Sequence, residues 1–218
     1  MNMINKASEK LVIFFSKYKS YNYKKGDVIL HPGDTPQGIY FLKNGFARLY
    51  SFSKEGKELT LVMYKGGDFF PVVWSFRGTR SAYYFETLSD VVIERAPRED
   101  FMEFIKNNYD VFLEVNDHIL ERFQVALKRM QYLTFGNASA KLASILLICG
   151  KDFGVEKNGQ IEIQVPLTHK DIANLVGIAR ETVSVELKKF DRAGFIGYSG
   201  KLLVIKDRKG LEKEAILM

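Results

Sequence analysis

Residues 167–192, LTHKDIANLVGIARETVSVELKKFDR, form two short amphipathic segments separated by Gly177. Thr168 precedes the first segment and can cap the N-terminus of a helix. Each segment has one apolar helical face: Ile172, Leu175 and Val176 in the first, and Val183, Leu187 and Phe190 in the second. Ala173 is small where two helices must cross, and Gly177 permits a sharp turn. The pattern predicts a helix-turn-helix.

The next segment, AGFIGYSGKLLVIKD (193–207), contains two runs of β-forming residues on either side of Ser199-Gly200. Such runs around a glycine-containing pair predict a hairpin with a tight turn. A helix-turn-helix followed by a hairpin is a winged helix, and in a helix-turn-helix the second helix lies in the major groove of duplex DNA.

The outward side of the second helix supplies the candidate DNA contacts. Arg180, Glu181 and Ser184, near its N-terminus, carry groups that can distinguish base edges. Other polar residues are expected to bind phosphates, which position a protein without reading sequence. These are Thr168, His169, Lys170, Thr182, Lys188 and Lys201. The alternative interpretation is that all of them are solvated residues of a small helical domain.

The first third of the chain has the pattern of a β-domain, in which short apolar runs alternate with glycine-containing turns. Many short strands at this spacing are typical of a sandwich or a small barrel. The predicted strands are 27–30, 39–42, 46–52, 59–64, 83–87 and 91–95. Pro97 ends this pattern and suits the first turn of a helix.

A long helix is expected from about Asp110 to Phe135. Seven of its residues, spaced alternately four and three apart, form a heptad seam: Phe112, Asn116, Ile119, Phe123, Ala126, Met130 and Leu133. So regular a seam favours a coiled coil between two copies of the chain, with the polar Asn116 setting the register. The alternative is a long helix packed on its own β-domain.

Gly136-Asn137 interrupts the helical pattern, and we place a domain boundary there. A further helix is expected over 138–149. A polar loop over 150–160 and a strand over 161–165 follow.

Composition argues against several other classes of protein. The only cysteine, Cys149, lies in an apolar run, and the only histidines are His31, His118 and His169, which are widely separated in the sequence. One thiol cannot form an internal disulfide. Neither a cluster of metal ligands nor a nucleophile, phosphate-binding or dinucleotide-binding motif is present. We therefore predict no metal, no cofactor and no enzymatic activity.

The net charge of +6 is compatible with a nucleic-acid partner but is too small and too evenly spread to indicate one. The apolar run 11–15 is too short for a secretory signal, and no run is long enough to cross a bilayer. A cytoplasmic protein without a membrane partner is expected.

Together these segments resemble the CRP/FNR superfamily of bacterial transcription regulators. The strongest likeness is VGIARETVSVELKKFDRAGFI (176–196), which is similar to the recognition helix of that family with its Arg-Glu-Thr-Val core. Other similar segments are KKGDVILHPGD (24–34), YFLKNGFARLY (40–50), GGDFF (66–70) and FQVALKRMQYLTFGNASAKLASILL (123–147).

The resemblance implies an α+β fold with an N-terminal antiparallel β jelly roll as sensor domain (1–109), a long dimerisation helix (110–136) and a C-terminal winged helix-turn-helix (137–218). It implies a homodimer on a palindromic operator in duplex DNA, with half-sites about one helical turn apart. By analogy with the family, the loops 53–57 and 156–160 are candidate contacts for RNA polymerase.

The sequence departs from the cAMP-binding members of the family at the expected effector site. Val72 stands where those members have a carboxylate, and Leu127, on the long helix, offers a purine no hydrogen bond. Because an unpaired polar edge costs roughly 1–3 kcal/mol per group, cAMP is not expected as the effector. The candidate pocket for another small-molecule effector consists of Gly67, Val72, Arg80, Ser81 and Leu127.

A second interpretation stays open, in which the chain is a nucleotide-sensing regulatory module that acts on a protein partner. Such a module would need neither the hairpin nor the exposed Arg180 and Glu181. Val185 stands where many members of the family have a second base-reading arginine. We therefore expect an operator that differs from the best-known consensus of the family.

Overall fold

The computed structural model describes residues 3–215, with side chains from residue 9 onward. The chain divides into two compact units. The first contains the chain up to Ser51 and from Leu61 to Phe123, and the second contains Phe52–Thr60 and the chain from Gln124. Within the described residues, no helix combines the length and the apolar character needed to span a membrane.

The first unit is an antiparallel β jelly roll with helices. Its helices are α1 (Met3–Phe15), α2 (Val72–Arg77), α3 (Arg98–Asn107) and the first part of α4 (Tyr109–Phe135). Its strands are β1 (Ser20–Tyr23), β2 (Val28–Leu30), β3 (Ile39–Asn44), β4 (Phe46–Phe52), β5 (Glu58–Lys65), β6 (Phe69–Phe70), β7 (Tyr84–Thr87) and β8 (Val91–Ala96). Two four-stranded sheets have the orders β1-β8-β3-β6 and β2-β7-β4-β5. This pairing of two sheets confirms the predicted jelly roll.

Strand β3 is buried on both faces, which explains its uninterrupted apolar run. Tyr40 and Leu42 belong to a core built from strands of both sheets. Ile39 and Phe41 point to the opposite face and pack with side chains from α1 to α4. Successive residues of a strand face opposite sides, so residues 39–42, which lie between two apolar layers, are all buried, whereas Lys43 and Asn44 at the end of the strand are exposed.

Helix α4 is held to this unit by apolar and ionic contacts. Val111 and Val115 are buried in the core formed with α1 to α3. The carboxylate of Asp68 lies 3.2 Å from His118 Nε2 and 2.9 Å from Arg122. Burial by itself would raise the pKa of Asp68, but the hydrogen bond with His118 and the charge of Arg122 outweigh it and hold the pKa below its usual value.

The structure confirms all six predicted strands within two residues at each end and adds elements that the sequence pattern did not indicate. The additions are α1, α2, β1 and β6. Helix α2 is short and rich in valine and aromatic residues, which favour strands. It forms because Trp74 is buried in the core and Gly78 closes the helix with φ +67° and a 2.9 Å hydrogen bond to the Trp74 carbonyl.

The second unit combines helices with one small sheet. Its elements after α4 are α5 (Ala138–Phe153), β9 (Gly154–Lys157), β10 (Gln160–Ile163), α6 (His169–Val176), α7 (Arg180–Arg192), β11 (Ile196–Ser199), β12 (Leu202–Ile205) and α8 (Arg208–Glu214). The strands pair antiparallel in the order β11-β12-β10-β9.

The prediction of a polar loop over residues 150–160 is wrong. Helix α5 continues to Phe153, and β9 and β10 form a hairpin. Its turn is Asn158-Gly159, with φ of 52° and 74°. Asn-Gly is the pair that a tight hairpin turn favours, so the signal was present in the sequence. The polar composition of the short strands concealed it.

Cys149 lies in the interior of the second unit with 1% of its surface exposed, as expected from its apolar surroundings in the sequence. Burial, with a smaller contribution from the charge of Asp152, raises the pKa of the thiol to about 12. The thiolate is the reactive form of cysteine.

We expect the Cys149 thiol of the native protein not to react with Ellman's reagent at pH 8, because only about one thiol in ten thousand is ionised there. Unfolding in guanidinium should release one equivalent of chromophore, and Cys149→Ser should release none. Stoichiometric reaction of the native protein within minutes would contradict the burial of this side chain.

Candidate DNA-binding site

Helix α6 begins with a complete capping box. The Thr168 hydroxyl lies 3.2 Å from the Asp171 amide and accepts from it, and the Asp171 carboxylate accepts from the Thr168 amide at 2.8 Å. The hydroxyl proton of Thr168 is also donated to Asp171, at 2.6 Å. The main-chain amide and the hydroxyl of Thr168 therefore both donate to Asp171 in the first turn of the helix.

The turn between α6 and α7 confirms the predicted helix-turn-helix. Gly177 has φ +70°, and its amide donates to the Ala173 carbonyl at 2.8 Å. A residue with a side chain rarely adopts this left-handed conformation. Ala173 is 5% exposed, as expected where the helices pack.

A hydrogen-bonded chain connects the starts of α6 and α7. Ser184 Oγ donates to the Arg180 carbonyl at 3.0 Å. His169 Nδ1 lies 2.8 Å from Ser184 Oγ. Because a hydroxyl has one proton, the Ser184 proton is used within the protein whichever tautomer His169 adopts. Ser184 then keeps acceptor capacity for an external partner but has no proton to donate to one.

Helix α7 divides into a buried and an exposed face as predicted. Val183, Leu187 and Phe190 are buried. Thr182 is half-buried, and the exposed residues are Arg180, Glu181, Val185 and Lys188. Ala179, the residue before the helix, provides no side-chain cap. The first amides of α7 therefore have no partner from a capping side chain and can bind an anion.

The predicted hairpin is formed by β11 and β12, with Ser199 opposite Leu202. Its two turn residues are Gly200, with φ +60°, and Lys201. The sequence placed this turn one residue earlier, at Ser199-Gly200. Lys201 is exposed and lies at the tip of the hairpin.

Comparisons with known proteins agree with this architecture. Residues 21–108 match the model of a cyclic nucleotide-binding domain, and residues 140–214 match that of a Crp-like helix-turn-helix domain. The transcriptional regulator SdrP of Thermus thermophilus is 30% identical over 202 residues, which are 90% of this chain and 94% of that protein. The crystal structure of a CRP/FNR-family regulator from the same species is 28% identical, with a TM-score of 0.69, over 90% of this chain and 98% of that one. The chain belongs to the CRP/FNR superfamily.

This CRP/FNR protein is a transcription regulator with a helix-turn-helix DNA-binding domain. A further relative is the cAMP-activated global regulator CRP of Salmonella typhimurium, 24% identical over 195 residues, which are 88% of this chain and 91% of that protein. The relatives are regulators and not enzymes, which agrees with the prediction that the chain has no catalytic activity.

The five residues predicted to form an effector pocket have different surroundings. The Gly67 amide donates to the Leu42 carbonyl at 2.8 Å, and Ser81 pairs through its main chain with Gly33 and Asp34. Arg80, beside Ser81, is exposed, and Val72 begins α2 and packs against the core formed by α1 to α4. Leu127 is 45% exposed and belongs to the second unit. No hydrogen bond joins any two of these residues, all of which the structure describes, so the pocket stays a prediction.

The seven residues of the predicted dimer seam lie on α4 and differ in exposure. Phe112, Phe123, Ala126 and Met130 are exposed, whereas Asn116, Ile119 and Leu133 are partly buried. Ile119 packs against the core of its own β-unit. Three leucines that the predicted seam left out are at least 45% exposed: Leu113, Leu120 and Leu127.

Arg129, on α4, is a positioning residue that the sequence analysis missed. It is 8% exposed, and its guanidinium donates to the carbonyls of Thr60 and Leu175 at 2.8 Å each and to the Tyr132 hydroxyl at 3.0 Å. Leu175 lies in the last turn of α6, where carbonyls lack a partner within the helix. One cation therefore joins α4, the 52–60 segment and the first helix of the helix-turn-helix within the second unit.

A second contact joins the 52–60 segment to α6. The Asn174 side-chain amide donates to Glu58 at 2.5 Å. The sequence pattern did not indicate the contacts of Arg129 with Thr60 and Leu175 or that of Glu58 with Asn174, because these partners are far away in the sequence.

Arg129→Leu should lower the free energy of unfolding by roughly 2–5 kcal/mol, because it removes the donor that serves two buried carbonyls. Arg129→Lys should lower the free energy of unfolding by less, since the lysine ammonium keeps the positive charge. Gln131→Leu, at an exposed position on the same helix, is the matched control and should change stability little. Urea unfolding measures all three, and equal effects for Arg129→Leu and the control would refute the assignment.

Proposed function

We propose that this regulator is a cytoplasmic homodimer that binds a palindromic operator in duplex DNA and inserts α7 of each copy into successive major grooves. The observation that carries the proposal is a set of charged side chains with no intramolecular hydrogen bond or ion pair, all within the described residues of one domain. They are Lys170, Arg180, Glu181, Lys188 and Lys201. Some other charged side chains of this domain are paired, such as Lys157 with Glu162 and Lys189 with Glu186. What the five proposed contacts share besides is their place at the start of α6, on the outward face of α7 or at the tip of the hairpin.

Arg180 and Glu181 are the proposed base readers at the start of α7. Arginine matches the two acceptors of guanine, and glutamate accepts from the cytosine amino group. Because the Ser184 proton is used within the protein, we assign Ser184 to an amino group of adenine or cytosine. Val185 is exposed on the same face and suits a thymine methyl group.

The remaining polar residues are proposed phosphate contacts. Lys170, Lys188 and Lys201 supply charge, and His169 and Thr182 supply hydrogen-bonding groups. The uncapped amides at the start of α7 add an anion site of the kind found at helix N-termini. Thr168 is assigned to holding α6 in place, because both of its donors are used.

The exposed apolar face of α4 supports dimerisation. Alone, the heptad positions Asn116, Phe123 and Met130 would form a narrow seam. Exposed Leu120 and Leu127 extend it into a broad apolar stripe on a helix of 27 residues. Large exposed apolar patches mark interaction surfaces, and a symmetric pair of such helices would cover this one.

We also infer that cAMP is not the effector. Val72 packs its side chain into the core around α2 and supplies no carboxylate to a ribose. Any contact with RNA polymerase is assigned to the exposed loops 53–57 and 156–160.

The experiment that tests this function is selection of binders from a random duplex pool by the purified protein without ligand, at two salt concentrations. Enrichment of a palindrome with half-sites about one helical turn apart is the expected result. Binding that enriches no sequence and weakens steeply as salt rises would mean that only phosphate contacts contribute to the affinity. That result would contradict sequence-specific binding by the free protein. Absence of binding at both salt concentrations would favour a module that acts on a protein partner.

Arg180→Ala should weaken binding to the selected operator by about 1–3 kcal/mol and relax specificity at one base pair, because it removes a bidentate contact. Arg192→Ala, at the opposite end of α7, is the control and should keep the base preference. Competition binding against operators changed at single positions measures both. Equal weakening on every sequence would reassign Arg180 to a phosphate.

Lys188→Ala should weaken binding equally on all sequences and reduce the slope of log affinity against log salt by about 1. The physical reason is that a protein with one phosphate contact fewer displaces one counterion fewer from the DNA when it binds. Lys213→Ala in α8 removes the same charge outside the proposed interface and should leave the slope unchanged. Titrations by fluorescence anisotropy at several salt concentrations give the slopes, and an unaltered slope for Lys188→Ala would remove this residue from the interface.

A further inference from the structure

Residues 58–60, at the start of β5, form a seat for α6, the first helix of the helix-turn-helix. The Glu58 carboxylate accepts a hydrogen bond from the Asn174 side-chain amide at 2.5 Å. Leu59 reaches the turn that follows the helix, since a Cβ atom built on Gly177 would lie 3.7 Å from Leu59 Cδ1, an ordinary van der Waals distance. One residue of the seat therefore bonds to the helix, and the next packs against the turn.

The third residue of this α6 seat acts through Arg129. The carbonyls of Thr60 and Leu175 both accept from its guanidinium, at 2.8 Å each. Because Arg129 lies on α4, the long helix and the α6 seat hold the same end of α6. Contacts of three kinds thus meet at residues 174, 175 and 177: a side-chain hydrogen bond, a shared cation and an apolar contact.

Helix α6 has what it needs to form without the Glu58 contact. Its N-terminus carries the capping box of Thr168 and Asp171, and its apolar face is buried in the domain. Asn174 lies near the opposite end and is half-buried, as is Glu58. The hydrogen bond between these two side chains therefore determines where α6 lies on the 52–60 segment, rather than whether a helix forms.

The position of α6 in turn decides where α7 lies. The Gly177 turn and the contact of His169 with Ser184 join the two helices. In the proposed homodimer α4 carries the dimer contact, so the attachment of α6 at the end of α4 sets the separation of the two copies of α7. One base pair added between half-sites shifts the second half-site by about 3.4 Å and rotates it by about 35°.

We propose that Glu58 and Asn174 are positioning residues that hold the helix-turn-helix in one place on α4 and thereby set the half-site spacing to which the dimer binds. The inference rests on the proposed function and adds a division of labour to it. The exposed residues of α7 read the base sequence, and the α6 seat determines the spacing. Without the seat contact, the protein would bind the same half-site over a broader range of spacings.

The first test compares affinity for the selected palindrome with affinity for versions that have one base pair added or removed at the centre. Glu58→Ala should weaken binding to the original palindrome about fivefold, as expected for the loss of one hydrogen bond. It should also reduce the discrimination against the altered spacings and leave the base preference within each half-site unchanged. A purely electrostatic effect would have the opposite sign, because removing a carboxylate favours binding to phosphates.

Matched variants separate position from charge. Glu58→Gln removes the charge but keeps an acceptor for the Asn174 amide, so it should preserve the spacing preference. Asn174→Ala leaves Glu58 in place and should reproduce the effect of Glu58→Ala. The double variant should bind no more weakly than either single one, since both remove the same contact. Glu55→Ala removes a carboxylate that bonds to Ser53 within the turn, and this control should behave as the unaltered protein does.

A second test needs neither DNA nor a dimer. Nitroxide labels on Gln131→Cys in α4 and Arg192→Cys in α7, both at exposed positions, report how the helix-turn-helix lies relative to α4. The labels are placed in a Cys149→Ala background, and the labelled full-length chains are diluted with unlabelled protein. Double electron–electron resonance should give one narrow distance distribution, and Asn174→Ala should broaden it.

Two results would overturn the proposal. One is a spacing preference that Glu58→Ala and Asn174→Ala leave unchanged, and the other is a distance distribution that Asn174→Ala leaves unchanged. If the unaltered protein selects no palindrome, the proposed function is wrong instead. The distance measurement then still decides whether Glu58 and Asn174 position the helix-turn-helix.

Discussion

The arrangement of the second unit depends on one buried cation. Arg129 reaches from α4 to carbonyls of the 52–60 segment and of α6. A buried guanidinium is costly unless its donors are paired, so each partner must stay where Arg129 can reach it. The last turn of α6 gains a donor for the Leu175 carbonyl, which the helix itself leaves unpaired. The same side chain therefore fixes the position of the helix-turn-helix relative to the end of α4.

Within that arrangement, polar groups fall into two classes. Thr168, Asp171 and His169 bond to neighbouring residues and hold α6 and α7 in register. The side chains of Arg180, Glu181 and Lys188 make no hydrogen bond or ion pair with any described residue and face solvent. In the proposed function, the second class supplies the charged groups for base edges and phosphates. The division explains why one short segment can be both rigid and available for recognition.

Much of the architecture could be predicted from local patterns. The strands of the jelly roll, α4 and the helix-turn-helix each have a strong periodicity and glycine at the required turn, such as Gly177 and Gly200. Errors came where local signals were weak or mixed. Polar residues concealed the β9–β10 hairpin, and β-forming residues concealed α2, which forms because Trp74 is buried. On α4, the periodicity predicted an apolar face, but burial within the chain decided which positions are exposed.

By itself, the sequence determined the family, the type of each strong element and the identity of the exposed residues on α7. These follow from periodicity and turn chemistry, which act over a few neighbours along the chain. Only the tertiary structure decided that Arg129 donates to two distant carbonyls and that the Ser184 proton is used within the protein. The same holds for Ser144, whose buried hydroxyl oxygen has no hydrogen-bond partner among the described residues. Hydrogen bonds and cavities join residues that are far apart in sequence, and no local pattern encodes a distance that only folding creates.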